Sequence, residues 1–385
     1  MADQNKVDAN PTKSFFVRMI TRDISLEDCI LDLIDNSVDG AWELEGGQPM
    51  SLGDNVDLSS YAINIQIEDD RFVISDNCGG ITFNDAVEYA FTFGRKEQVH
   101  DEPYSIGVYG IGMKRAVFKI GKKINIRSTY DKRGDEGSFI VPIEVQKWLE
   151  DDTKDWDFDI AEDKPLDHTG VEITITDLPE NVATSFSNPA FVQNLRRMLA
   201  RDYALHLNRG LAINLNGEWI SGWQISLQVG GDISPMRVEY EDAVGDEVVN
   251  VEIFAGMVAS PPEDVSPSED IRGEKQYGWY IVCNGRIVLA ADKTELSGWG
   301  SDGWPYWHQQ YAGFIGIVMF NSSKTELLPL TTTKRSVDAS SEVFRRARLR
   351  MRDASRDWIN YTNTRKQSLS EAKKVEAIPK PQLIF

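Results

Sequence analysis

One segment, DCILDLIDNSVDGA at residues 28–41, constrains the fold of this chain more than any other. In a helix, at about 100° per residue, its polar residues gather on one face and its apolar or small residues on the opposite face. The polar face comprises Asp28, Asp32, Asp35, Asn36 and Asp39, and the apolar face comprises Ile30, Leu33, Ile34, Ser37 and Ala41. The pattern predicts a helix that packs on a core by one face and presents its acids on the other.

The carboxylates of this helix repel one another, because like charges three or four residues apart lie side by side on a helix. A bound cation would relieve the repulsion, since hard divalent metals take oxygen ligands from Asp and Asn side chains. A solvated acidic helix is the alternative, because the whole chain is acidic, with a formal net charge of -20. The helix alone leaves both interpretations open.

The composition is that of an ordinary globular protein: 385 residues, 41% hydrophobic and 26% charged, enough for two domains. The net charge disfavours binding to nucleic acid and to anionic lipid. Three scattered cysteines and four histidines indicate neither a disulfide framework nor a zinc site. The N-terminus lacks an apolar signal core, and no apolar run is long enough to cross a bilayer. We therefore expect a reduced, cytoplasmic protein that does not contact a membrane.

Changes in pattern divide the chain into four parts. Residues 1–14 resemble a flexible arm, residues 15–207 a first domain, residues 208–340 a second domain, and residues 341–385 a basic helix and tail. The last helix has an apolar stripe at helical spacing. Its members are Phe344, Ala347, Met351, Ala354, Trp358 and Tyr361. Both a partner or dimer contact and packing onto the second domain would account for the stripe.

Two more motifs follow the acidic helix. The segment VISDNCGGI places Asp76 at a strand end, before a glycine turn. A carboxylate there can accept a hydrogen bond from the amine of adenine, and the glycines let the backbone approach the base. YSIGVYGIGMKRA places glycines ahead of a helix, whose free N–H groups and dipole attract phosphate. No Walker A loop is present. Each motif is weak alone, and their order carries the interpretation.

With these three motifs in this order, the chain resembles the GHKL, or Bergerat-fold, ATPases, closest in style to MORC proteins, ninety-kilodalton heat-shock chaperones and MutL. The resemblance assigns Asn36 to the magnesium ligand, Asp39 to its supporting acid, and Asp76 with Gly80 to adenine recognition. The phosphate-binding lid motif corresponds to Gly107, Val108, Gly110, Ile111, Gly112, Met113 and Lys114. The implied cofactors are ATP and Mg²⁺, with a lid over residues 94–112.

The resemblance also implies an α+β fold class. It consists of a Bergerat-fold α/β sandwich with a mixed sheet and helices on one face, then a ribosomal-protein-like α/β transducer domain and a C-terminal helix. Transducer domains of this family send a lysine or arginine back to the γ-phosphate. The loop LPLTTTKRSVD fits this role, with Lys334 as the first candidate and Arg335 as the second. ATP-dependent lid closure and homodimerisation are implied as well.

Three positions depart from the family pattern. Asp32 stands where the family has a catalytic glutamate and is one methylene shorter, although a general base must reach the attacking water. Cys78 replaces the first glycine of the adenine motif. Val171 aligns with the family's threonine near the adenine, and Thr169, two residues earlier on the same strand face, is the expected substitute.

These residues predict an Mg-dependent ATPase with slow hydrolysis, in which Asp32 is the base and Lys334 contacts the γ-phosphate. It would act as a conformational switch or clamp on a protein client or DNA. The alternative is a nucleotide-gated interaction subunit that does not hydrolyse ATP, in a bacterial defence or stress system. The remaining acids of the helix, Asp28 and Asp35, are expected to be solvated.

Overall fold

The fold comes from a computed structural model. It describes residues 11–46, 56–93, 103–107, 110–132, 134–150, 156–262, 276–301 and 303–384. The predicted flexible arm up to residue 10 and much of the predicted lid lie outside the described residues. Val108, which was predicted to bind phosphate, is outside them too.

The first sheet contains eight strands, which cover the N-terminal half of the chain. They are β1 Ala62–Ile67, β2 Arg71–Asp76, β3 Lys123–Lys132, β4 Asp135–Glu144, β5 Ala161–Glu162, β6 Gly170–Thr176, β7 Ala212–Leu215 and β8 Glu218–Trp219. Their order is β5-β4-β3-β6-β2-β1-β7-β8. The sheet is mixed, because β1 runs parallel to β7 and antiparallel to β2. Alternation of apolar and polar residues in β1 and β2 buries one face of each strand.

Eight α-helices accompany this sheet in the described residues. They are α1 Lys13–Arg22, α2 Leu26–Glu45, α3 Phe83–Asp85, α4 Gly112–Ile120, α5 Val145–Glu150, α6 Glu180–Phe186, α7 Pro189–Asp202 and α8 Ala204–Asn208. The acidic segment forms most of α2, as its periodicity predicts. Ser25 caps this helix by accepting the N–H of Asp28, and Gly46 ends it with a left-handed φ of 60°. Helix α2 packs against α4.

The first sheet extends beyond residue 207, where the sequence analysis ends the first domain. Strand β7 continues the sheet beside β1, with Ile63 opposite Ile213, and β8 pairs with β7. The alternation of apolar and polar residues in β7 is compatible with a strand in either domain, because alternation indicates a strand but not which strand pairs with it. Only the tertiary pairing assigns β7 and β8 to the first sheet.

The second sheet contains five strands in the order β10-β11-β14-β12-β13. The remaining strands are β9 Ser226–Val229, β10 Met236–Val244, β11 Glu247–Met257, β12 Gly278–Cys283, β13 Arg286–Asp292, β14 Phe314–Asn321 and β15 Lys380–Leu383. Two helices follow β14: α9 Glu342–Arg365 and α10 Leu369–Glu376. Strand β15 returns to pair with β9 in a separate two-stranded sheet.

The apolar stripe of α9 packs onto the second sheet. Phe344, Ala347 and Met351 are buried in one cluster with Val251, Trp279 and other residues of the strands. The indole N–H of Trp279 donates to Ser355 at 3.1 Å, which fixes the helix on the sheet. Of the two interpretations of this stripe, packing onto the chain's own second sheet is therefore the one observed.

One apolar core connects the two large sheets. Leu31 and Ile63 of the first part belong to the same buried cluster as Tyr280, Ile287 and Met319 of the second. The architecture is a mixed α/β sandwich followed by a second sheet-and-helix unit, which confirms the predicted fold class. Among the described residues, no helix combines the length and apolar content needed to cross a membrane.

Candidate functional site

A cavity of about 240 Å³ lies against helix α2. The end of β2, the segment before α4 and the loop at residues 329–338 complete its walls. Twelve predicted site residues line it: Asp32, Asn36, Asp39, Asp76, Gly80, Gly107, Gly110, Ile111, Gly112, Met113, Lys114 and Lys334. Thr169 does not line the cavity and precedes β6, whereas Val171 does line it.

Asp76 lies at one end of the cavity, held by donors from three elements. The Ser37 hydroxyl donates to its Oδ2 at 2.6 Å, and the N–H groups of Cys78 and Val171 donate to its Oδ1 at 2.9 and 3.3 Å. Burial raises the pKa of Asp76 above its usual value, although these hydrogen bonds partly offset the effect. The donors fix the orientation of the carboxylate that faces the cavity.

Glycines allow the backbone to pack closely around Asp76. A Cβ on Gly170 would overlap the carbonyl oxygen of Asp76, and one on Gly40 would lie 2.6 Å from the carbonyl oxygen of Cys78. Gly80 has a φ of 71°, and a Cβ there would overlap the carbonyl oxygen of Thr129. Gly80 was predicted to recognise adenine, whereas the close packing at Gly40 and Gly170 was not predicted. A glycine inside a helical pattern and another at a strand start were the available signals.

Asn36 and Asp39 line the cavity from helix α2. Asp39 accepts hydrogen bonds from the N–H groups of Ile106 at 2.7 Å and Gly107 at 3.1 Å, so it anchors the segment before α4. Asn36 is exposed to the cavity, and its carboxamide makes no hydrogen bond to the part of the chain that the structure describes. This free oxygen suits a hard cation that draws its other ligands from phosphate.

Helix α4 begins at the cavity wall. A Cβ on Gly112 would lie only 3.4 Å from the Asp32 Cγ, so glycine lets the helix start close to that acid. The N–H groups in the first turn of a helix favour an anion. Lys114 also lines the cavity, and its Nζ donates to the carbonyl oxygen of Ala90 at 2.9 Å.

Asp32 is held between two cations. Arg115 approaches its Oδ2 with Nε at 2.7 Å and Nη2 at 2.6 Å. Lys334 lies 3.3 Å from its Oδ1. A turn closed by the N–H of Lys334 and the carbonyl oxygen of Thr331 at 2.9 Å directs the lysine to this position. The loop after β14 thus reaches the acidic helix, as the resemblance implies.

Asp35 is fully buried, so the expectation that it is solvated is wrong. It accepts hydrogen bonds from Lys334 at 2.7 Å and from Tyr203 at 2.7 Å, and it forms an ion pair with Arg286. Burial acts to raise the pKa of Asp35, but the charges of Arg286 and Lys334 outweigh it and hold the pKa below its usual value. Burial acts to lower the pKa of Lys334, and Asp35 and Asp32 raise it above its usual value instead.

Asp28 is also paired rather than solvated. Its Oδ1 lies 2.7 Å from Nε of Arg335, whose Nη1 lies 2.9 Å from Asp202. Arg335 does not line the cavity, so of the two basic candidates only Lys334 reaches it. Asp28, Asp32 and Asp35 are therefore balanced by cationic side chains.

The segment before α4 is hydrogen-bonded to the second sheet-and-helix unit. The Ser105 carbonyl oxygen accepts from Asn284 Nδ2 at 3.0 Å and from Thr325 Oγ1 at 2.7 Å. A movement of this segment would therefore break contacts with the second sheet or move that sheet with it.

Residues 24–164 match the family described as "Histidine kinase-, DNA gyrase B-, and HSP90-like ATPase". This segment is similar to GHKL-type ATPases. It includes α2, the turn after β2 and α4, and so contains Asp32, Asn36 and Asp76 but not Lys334. ATP binding is the activity that the match supports. None of the curated proteins matches the chain.

Arg115, Arg286, Tyr203 and Ser37 are site residues that sequence reasoning missed. Arg115 follows the predicted phosphate-binding Lys114 directly, so its position in the lid motif was a usable signal. Arg286 and Tyr203 offer no such signal, because they lie 251 and 168 residues from Asp35 along the chain and contact it only in the folded structure.

Proposed function

We propose that the chain binds Mg-ATP in this cavity and hydrolyses it slowly to ADP and phosphate. The observation that carries the proposal is that one cavity is lined by a fixed carboxylate, Asp76, by Asn36, by the N-terminus of α4 and by Lys334. An adenine amine, a magnesium ion and a triphosphate require groups of these kinds. The family match over the same elements supports this assignment.

Each group that lines the cavity has its own role in binding ATP. Asp76 accepts a hydrogen bond from the adenine amine, and the glycine turn after it lets the base approach the backbone. Asn36 holds Mg²⁺, which when bound neutralises phosphate charge. The N–H groups at the start of α4 and Lys334 bind the phosphates.

Hydrolysis requires a base close to the terminal phosphate. In this proposal Asp32 accepts a proton from a water molecule, whose oxygen bonds to the γ-phosphorus as the bond to the β-phosphate oxygen breaks. The products are ADP and inorganic phosphate, and Asp32 returns its proton to solvent. Lys334 stabilises the negative charge of the transferred group.

A second function has one specific observation in its favour. Both oxygens of Asp32 face cations, Arg115 and Lys334, and the aspartate has a shorter side chain than the family's glutamate. If these pairs persist with nucleotide bound, ATP acts only as a conformational ligand. The chain is then a nucleotide-gated interaction subunit, in a bacterial defence or stress system.

The proposed switch couples the lid to the second sheet. ATP would close the predicted lid over the cavity, and the contacts of Ser105 with Asn284 and Thr325 would transmit that change. Homodimerisation across the closed lid would turn the chain into a clamp on a protein client or DNA in the cytoplasm.

Calorimetric titration with Mg-ATP and a phosphate-release assay test the proposal. Asp76→Asn removes the negative charge and replaces one acceptor oxygen by an NH2 donor, so it is expected to weaken ATP binding at least about tenfold. Asp32→Asn is expected to retain ATP binding and lose phosphate release. Asp163→Asn, a carboxylate paired with Arg127 away from the cavity, is the matched control.

Wild-type protein that binds no ATP would overturn the proposed function. Binding without phosphate release, even at high protein concentration, would instead establish the second function. Omission of Mg²⁺ is expected to weaken ATP binding in either case, and Asn36→Ala is expected to reduce that dependence on Mg²⁺.

A further inference from the structure

Arg115 is a cation of the cavity wall that the proposed function has not yet used. Two of its nitrogens contact one oxygen of Asp32, and its side chain is only 10% exposed. Its Nη2 also donates to the carbonyl oxygen of Thr332 at 3.3 Å. Arg115 therefore connects α4, α2 and the loop that carries Lys334, at the place where these three elements meet.

Asp32 cannot act as a base while its oxygens are engaged in this way. Arg115 occupies Oδ2, and Lys334 lies 3.3 Å from Oδ1. Both cations line the cavity, so an anion inside it competes with Asp32 for them. A terminal phosphate is a strong competitor, because it offers three oxygens and guanidinium groups bind phosphate with two parallel hydrogen bonds.

We propose that Arg115 is a positioning residue that senses the γ-phosphate. ATP draws Arg115 and Lys334 away from Asp32 and thereby frees Asp32 to accept a proton, whereas ADP lacks the competing group and leaves the pairs intact. This inference rests on the proposed function. It follows from the rule that a ligand shifts an equilibrium only through contacts that differ between the two states.

The test measures the dissociation constants of Mg-ATP and Mg-ADP by calorimetry for four proteins. These are the wild type, Asp32→Asn, Arg115→Gln and the double variant. Asp32→Asn removes the competitor, so ATP is expected to bind about tenfold more tightly and ADP equally well. In the Asp32→Asn background, Arg115→Gln is expected to weaken ATP binding about tenfold and leave ADP binding unchanged.

The double variant also controls for folding. It removes both members of the buried pair and so leaves neither Asp32 nor Arg115 as an uncompensated charge. Thermal melts followed by circular dichroism verify that all four proteins are folded. Arg127→Gln is the matched control. Arg127 lies on β3, pairs with Asp163 and Glu172, and does not line the cavity.

The possible outcomes separate the two proposals. If Arg115→Gln changes the dissociation constants of ATP and ADP equally, or changes neither, the sensor role is overturned. The proposal that the chain binds ATP would still stand. Wild-type protein that binds neither nucleotide overturns the proposed function and the sensor role together. A loss confined to ATP in the Asp32→Asn background supports the inference.

Discussion

His206, in helix α8, shows how burial fixes the protonation state of a single residue. Its side chain is 1% exposed, and its Nδ1 accepts a hydrogen bond from the Trp42 indole N–H at 3.1 Å. Burial, together with the charge of Arg209, lowers the pKa of His206 from 6.5 to about 3. The folded protein therefore keeps this imidazole neutral where the unfolded chain binds a proton.

We expect this histidine to make the protein less stable in mild acid. The unfolded state binds the additional proton as the pH falls below 6.5, and the folded state does so only near 3, so stability declines across that window. Between about pH 7 and pH 5 the decline due to His206 amounts to about 2 kcal/mol. Urea unfolding at both pH values measures it.

His206→Gln is the matched variant, since a glutamine oxygen can still accept the Trp42 hydrogen bond. Between pH 7 and pH 5, the free energy of unfolding of this variant is expected to fall by about 2 kcal/mol less than that of the wild type. Equal declines in the two proteins would show that His206 does not control the acid response.

At the level of elements, the approach of β6 to the end of β2 shapes the part of the cavity that we propose binds adenine. Gly170 begins β6 directly over the carbonyl oxygen of Asp76, and the next residue, Val171, donates its N–H to the Asp76 carboxylate. Strand β6 therefore positions Asp76 through its backbone. No side chain of β6 has to match a family motif for this to happen.

Gly170→Ala is expected to push β6 and β2 apart. The added Cβ meets backbone, which cannot rotate away, so we expect a stability loss of about 1–3 kcal/mol and weaker ATP binding. Gly217→Ala is the control: its φ is 84° and the space around it is open, so only backbone strain of about 1–2 kcal/mol arises, without an effect on ATP. Urea unfolding and ATP titration compare the two. Unchanged ATP affinity in Gly170→Ala would contradict the role of β6.

At the scale of the whole molecule, the two large sheets share one core and a buried ion-pair network. Tyr280 and Ile287 of the second sheet lie in the apolar cluster of the first, and Arg286 between them pairs with Asp35 of α2. Separation of the units would expose apolar surface and leave Arg286 and Asp35 without their partners. Both effects are unfavourable.

We therefore expect the two units to unfold in one cooperative transition. Native-state hydrogen exchange followed by mass spectrometry, at increasing urea, reports on both sheets in the same sample. The amides of β3 and of β14 are expected to exchange with the same dependence on urea. Exchange of one sheet at distinctly lower urea would show that the shared core does not couple them.

Much of the fold followed from local patterns. The period of α2 and the apolar stripe of α9 each indicated the right element, because these periods reflect which face a backbone buries. The partners of the elements did not follow. The α9 stripe was left open between a partner protein and the second sheet, and nothing in the local pattern indicated that β7 pairs with β1.

The sequence by itself determined the helical period of α2 and the order of the three motifs, because the acid helix, the DNCGG turn and the lid glycines are local patterns. Only the tertiary structure decided how the acids of α2 are neutralised. Asp35 meets Arg286 across 251 residues of chain, and Asp32 meets Arg115 across 83. Coulomb attraction depends on distance in space, and spacing along the chain does not reveal that distance.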